Sequence, residues 1–358
     1  MSRFLGLTPV LKRLLRKDQI AAVSMTTENA VDPEYTARMA SEQAHFAACE
    51  NVHNLPEIFH YWSNKYLRPA IEQCGFSNPD EFFTMYLEKT FGGDKQATRR
   101  FVSIGSGNCD TEVRLAGMLN RRGYRNFVIE CVDINETMLA RGSALAAESG
   151  VAENISTLLG DFNNWQAAQK YHAVIANQSL HHVTELEHLF DTIKAALHKD
   201  APFVISDMIG RNGHQRWPEA RSIVNEFWSE LSTEKRFNLQ LQRQETAFLD
   251  WDCSVSGFEG IRSQDVLPEL ISRFEFVFFH GFGNIIDPFV DRSFGHHLNP
   301  ENPADRDFID RIHARDEAEL SAGRLTPTHM FAVLKNGTPG RCEFSLGRSP
   351  VKSIRHAH

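Results

Sequence analysis

Two periods of apolar residues divide this chain. From Phe101 onward, short apolar runs of strand type alternate with longer segments whose apolar residues recur at helical spacing. FVSI, at 101–104, reads as a buried strand that breaks on Gly105, Ser106 and Gly107. A helix follows from about Asp110, which can cap it, to a stop at Gly123. Phe127 to Val132 is a second strand ending on Asp133, and Glu136 to Ser149 a helix stopped by Gly150. Ile155 to Leu159 and Ala173 to Ala176 are the third and fourth strands, the latter ending at Asn177. Leu186, Leu189, Phe190, Ile193 and Leu197 then share a helical face, and Phe203 to Ser206 is a fifth strand ending at Asp207.

The rhythm then breaks. Residues 208–272 form an insertion with a helix from Trp217–Pro218 to about Leu231, and Phe274 to Phe282 is a sixth strand. A second insertion spans 283–327, and Thr328 to Lys335 is a last strand that can return antiparallel, as in a hairpin. Such alternation predicts an α/β fold: a Rossmann-like sheet of seven strands, the last antiparallel, with two lid insertions. Ligands of these sheets collect at the carboxyl ends of the strands, where Asp133, Asp161, Asn177 and Asp207 stand.

Upstream the pattern is helical. Residues 35–98, rich in aromatics, read as an N-terminal helical cap whose polar tips, His60 and Tyr61 foremost, face a substrate. Residues 1–34 combine a basic amphipathic stretch (Phe4, Leu7, Leu11, Leu14, Leu15 among Lys and Arg) with a linker. Residues 1–20 could touch a membrane surface or a partner weakly, although packing on the chain's own domain is the plainer expectation. Residues 336–358 show no periodicity and are expected to be disordered.

Composition narrows the class. With 42% hydrophobic and 23% charged residues, the chain is an ordinary globular protein. A net charge of −8 argues against a nucleic-acid partner, and no run approaches the ~20 apolar residues of a membrane helix. Six scattered cysteines without a CxxC pair suit a reduced, cytoplasmic setting.

A glycine turn between strand and helix leaves free backbone N–H groups beside a helix N-terminus, a seat for a nucleotide or an anion. The dinucleotide fingerprint GxGxxG fails here because Asp110 stands where the third glycine belongs. Five segments in order carry another likeness: VSIGSGNCDTEVRLA, ECVDINETMLARG, LLGDFNNW, HAVIANQSLHHV and FVISDMIG. With these the chain resembles the class I S-adenosyl-L-methionine (SAM)-dependent methyltransferases over roughly residues 99–335.

The resemblance implies SAM as cofactor, with S-adenosyl-L-homocysteine (SAH) as product, and assigns roles residue by residue. Gly105, Ser106 and Gly107 would let the backbone approach the methionine part. Asp133 would accept the ribose hydroxyls, Ile134 and Met138 would pack near the adenine, and Asp161 with Phe162 would hold its amino edge. Asn177 would line the way to the sulfonium. The family places Asp or Glu two residues before the first glycine, where this chain has Ser103; Glu112 or water would serve instead.

Methyl transfer to a hydroxyl or amine also needs a base, and His181 or His182, in SLHHV, is the candidate, His182 first. The plainer role for either is packing in its loop. The Arg211 segment and the stretch Asp287 to His297 offer further polar groups near the acceptor. Their spacing matches no metal motif, so a salt-bridged lid is expected and no metal. The function expected is methylation of a small or medium-sized acceptor such as a metabolite, sugar or natural-product intermediate. The alternatives are a nucleotide-dependent oxidoreductase and a non-catalytic SAM-binding regulator.

Overall fold

The computed structural model describes residues 32–48, 55–337 and 340–355. The basic stretch within residues 1–31, with its expected surface contact, lies outside them. Residues 37–358 form one compact unit.

The sheet has eight strands. β1 (Arg99–Ile104), β2 (Phe127–Asp133), β3 (Ile155–Leu159), β4 (Ala173–Asn177) and β5 (Pro202–Met208) are parallel; β6 is Glu275–Phe282, β7 His329–Lys335 and β8 Glu343–Phe344. Their order across the sheet is β8-β6-β7-β5-β4-β1-β2-β3. β7 runs antiparallel to both β5 and β6, the expected hairpin-like return. The eighth strand corrects the expectation of a disordered tail. Glu343 and Phe344 pair with Phe278 and Phe279, and Arg348, 5% exposed, is held by Glu317 and the Gly281 carbonyl. A buried arginine and its half-buried carboxylate partner fix a segment whose sequence has no period.

The helices in chain order are α1 (Pro33–Ala48), α2 (Glu57–Trp62), α3 (Arg68–Glu72), α4 (Pro79–Lys89), α5 (Asp110–Arg121), α6 (Glu136–Glu148), α7 (Leu186–Ala196), α8 (Pro218–Trp228), α9 (Ser263–Arg273), α10 (Asp287–Val290) and α11 (Pro303–Ser321). Between α2 and α3 one π turn, Ser63–Leu67, absorbs Pro69, which cannot donate to the helical ladder.

Period-two alternation sorts the strand side chains between two cores. Val102 and Ile104 join α7 and α9 on one face, while Phe101 joins α4 and α5 on the other. α4 therefore covers the sheet and is not part of a separate cap. α2 packs instead with α8, α10 and α11, so one helix of the first insertion, two of the second and the aromatic front end share one apolar cluster around Trp62, Trp228 and Phe289.

Strand order reverses between β1 and β4, with β2 and β3 on one side and β5 on the other. That reversal opens a crevice beyond the carboxyl ends of β1 and β4. The site lies there.

Candidate functional site

The turn after β1 is built on left-handed backbone: Gly105 at φ +71°, Gly107 at +54°, and Cys109 at +56° before α5. Asp110 is thus the first helical residue and Cys109 takes the cap position that Asp110 was expected to hold. A Cβ on Gly105 would run into Ser179 Cβ, so this glycine serves close approach of the β1 and β4 turns to each other. Ser106 donates its backbone N–H to the Val132 carbonyl.

Asp133, 7% exposed, closes the β2 side. Its Oδ2 accepts from Gly107 N at 2.8 Å and its Oδ1 from Asn135 N at 2.9 Å. Burial pushes its carboxyl above the usual range, against the pull of these two N–H groups. Asn135 then caps α6, accepting from Thr137 N and Met138 N, which buries Met138 under the Gly107 turn. The Ile134 carbonyl accepts from the Gln43 side chain of α1.

Beneath the turn, Ser103 Oγ donates to Glu112 Oε1 at 2.6 Å. Glu112 is 2% exposed and its Oε2 has no partner among the described residues. Burial pushes this carboxyl up to about 7.

The other residues expected at the cofactor have partners within the chain. Asp161 Oδ1 accepts from Asn163 N, and its Oδ2 from the Asn164 side chain, so the carboxylate shapes its own turn. The Phe162 ring is buried in the α7–α9 core, and the Asn177 side chain donates to Thr111 Oγ1 at 3.2 Å.

The histidines lie beyond β4, on a short 3₁₀ turn Leu180–His182. His181 Nδ1 sits 2.6 Å from Asp207 Oδ1, and Asp207 Oδ2 accepts from Ser179 N and Leu180 N. His182 Nδ1 sits 2.7 Å from Glu42 Oε1 of α1. Both Nε2 atoms face Glu259, at 3.4 Å and 3.5 Å, and His214 Nε2 meets the same carboxylate at 2.5 Å. Burial would lower the His181 imidazole, but Asp207 and then Glu259 outweigh it and hold it up at about 10. Burial would likewise raise Glu259, yet the imidazoles around it keep it well below the carboxylate range.

The residues expected to meet substrate lie on α2 and just before the turn that carries His214. Tyr61 Oη donates to Asp310, and His60 lines an open depression with Glu57, Asn64 and Arg306. Arg211 donates to the Arg216 carbonyl and lies over the Trp217 ring. Sequence reasoning missed Glu42 and Glu259 because no motif or spacing ties them to the SLHHV turn; folding alone brings them from 140 and 77 residues away.

Sheet order, strand reversal and glycine turn define a doubly wound nucleotide-binding fold with an antiparallel seventh strand. Residues 102–200 match the model of the family described as methyltransferase domain. The alternating core thus has a Rossmann-like methyltransferase fold, and its segment 102–200 is similar to a methyltransferase domain.

No curated protein matches the chain. Among solved structures it is similar to an O-methyltransferase from a trans-AT polyketide synthase multienzyme of Brevibacillus brevis, solved with SAH: 13% identity, 73% of this chain, 77% of that one, TM-score 0.41. It is also similar to a geranyl diphosphate methyltransferase (13%, 72% and 77%, 0.41) and to a putative sarcosine dimethylglycine methyltransferase of Galdieria sulphuraria (16%, 72% and 85%, 0.36). Among the described residues no helix is long and apolar enough to cross a membrane.

Proposed function

We propose that this chain transfers a methyl group from SAM to a small or medium-sized acceptor carrying an ionisable O–H or N–H. The observation that carries the reading is the buried, partnerless Oε2 of Glu112 beneath the glycine turn. An orphaned buried carboxylate oxygen is costly unless a cation completes it, and the ammonium of the cofactor's methionine part fits. Glu112 then takes the place of the acid that Ser103 displaced. Asp133 fits the ribose, since each of its oxygens accepts one backbone bond and keeps a lone pair for a hydroxyl. Ile134 and Met138 supply the apolar ground for the adenine.

When bound, SAM supplies a methyl group made electrophilic by its positively charged sulfur. The chain's own work is to position the acceptor and remove its proton. His182 does the latter: Glu42 can only accept, so it fixes the proton on Nδ1 and leaves Nε2 as the basic atom. Glu42 is a positioning residue that reaches the site from α1, whose neighbouring Gln43 also holds the Ile134 carbonyl.

Calorimetric titration tests the cofactor reading. SAH should bind, NAD should not, and Asp133→Ala, folded by circular dichroism, should lose SAH. Binding of NAD in place of SAH, or unchanged affinity in the variant, refutes it.

A further inference from the structure

We propose that His181, His214 and Glu259 bind one divalent first-row transition-metal ion of the zinc or iron(II) type. One nitrogen from each imidazole and one Glu259 oxygen lie within 4.8 Å of one another. His181 Nε2 and Glu259 Oε1 stand 3.4 Å apart, and two ligands each about 2.1 Å from a common ion at a tetrahedral angle stand about 3.4 Å apart. The His214–Glu259 contact, at 2.5 Å, has to open by less than about an ångström to admit the ion.

The surroundings are those of a held ligand. Asp207 accepts from His181 Nδ1 and is itself fixed by the Ser179 and Leu180 N–H groups. That arrangement directs Nε2 outward, the carboxylate–histidine pairing typical of metal sites. Glu42 does the same for His182, whose Nε2 faces the other Glu259 oxygen. Three imidazole nitrogens already turn toward this one carboxylate, and an ion would take the place of the protons they share with it. Two nitrogens and one oxygen suit zinc, iron or cobalt, whereas magnesium and calcium take oxygen ligands. Glu259 is 38% exposed at its side chain, which leaves coordination positions open on the solvent side. The ion would therefore stand beside the proposed base.

Metal binding is independent of the methyltransferase reading and is read without turnover. The full chain, stripped with chelator and dialysed, is titrated with cobalt(II) and then with zinc(II) in competition. The expected results are one ion per chain, visible d–d absorption from a low-symmetry site, and a raised melting temperature. Loss of a group that merely orients a ligand costs about 10–100-fold in affinity, so Glu259→Gln and His214→Gln should each cost about 100-fold or more. His296→Asn, at an exposed histidine, should cost nothing. SAH titrations on the same samples keep failure of the cofactor reading distinct. Less than 0.2 ion per chain, affinity unchanged in the folded Glu259→Gln protein, or magnesium binding as tightly as zinc would overturn the assignment.

Discussion

Replacing Glu112 by Gln isolates one buried carboxyl. Glu112 is 2% exposed, and burial lifts it from its ordinary 4.5 to about 7, more than its Ser103 hydrogen bond lowers it. Between those pH values the native chain keeps the proton and the unfolded chain gives it up. The unfolded state then binds fewer protons, so stability falls as pH rises through the window. At about 1.4 kcal/mol per pKa unit, the loss is roughly 3 kcal/mol, absent below about pH 4.5 and complete above about pH 7. Gln cannot ionise, fills the same volume and still accepts from Ser103. Urea unfolding of both proteins from pH 4.5 to 8 should therefore show the variant gaining roughly 3 kcal/mol relative to wild type. Asp291 and Asp316, which burial lifts to about 7 and about 8, titrate alike in both proteins and cancel in the difference. SAH should flatten the wild-type dependence, because a bound ammonium favours the ionised carboxylate. Near pH 6.5 its binding should release a proton, seen as buffer-dependent heat that the variant lacks. A wild-type-minus-variant difference that stays flat with pH, or rises with it, refutes the reasoning.

Three further outcomes follow from single contacts. Gly105→Ala forces left-handed backbone on a residue with a Cβ that meets Ser179, for a combined loss of about 2–5 kcal/mol; a thermal melt showing less than about 1 kcal/mol would mean that the turn relaxes freely. Asn163→Ala removes the acceptor of Thr184 N, Thr184 Oγ and Glu185 N, and should cost about 2–3 kcal/mol by urea unfolding at pH 7. His182→Ala should lower kcat by about 10²–10⁴-fold while SAH affinity holds within a few-fold, and equal losses in both would assign His182 a structural role.

Residues local to one turn were legible from the chain. Gly105 and Gly107 were legible as the turn after β1 and Asp133 as the end of β2, and the parallel pairing of these neighbouring strands brings Gly107 N onto Asp133 across 26 residues. Asp161 and Phe162 likewise follow a strand, yet Asp161 turns to the N–H groups of its own loop and Phe162 to the core. Sequence places a residue at a strand end without deciding which way its side chain faces. His60, Tyr61 and Arg211 were expected at the substrate by residue type; Tyr61 hydrogen-bonds Asp310 of α11, Arg211 lies over the Trp217 ring, and His60 lines an open depression.

By itself the sequence determined the alternation of strands and helices and the glycine turn after β1, and allowed the antiparallel return of β7. These follow from periods of two and 3.6 residues and from glycines at strand ends, all short-range matters. Only the tertiary structure decided that Glu42, Asp207, His214 and Glu259 converge on the SLHHV histidines, and that Glu112 waits with an unsatisfied oxygen. Those meetings depend on how an N-terminal helix and an insertion fold back over the sheet, where burial makes an unpaired charge too costly to leave without a counter-ion.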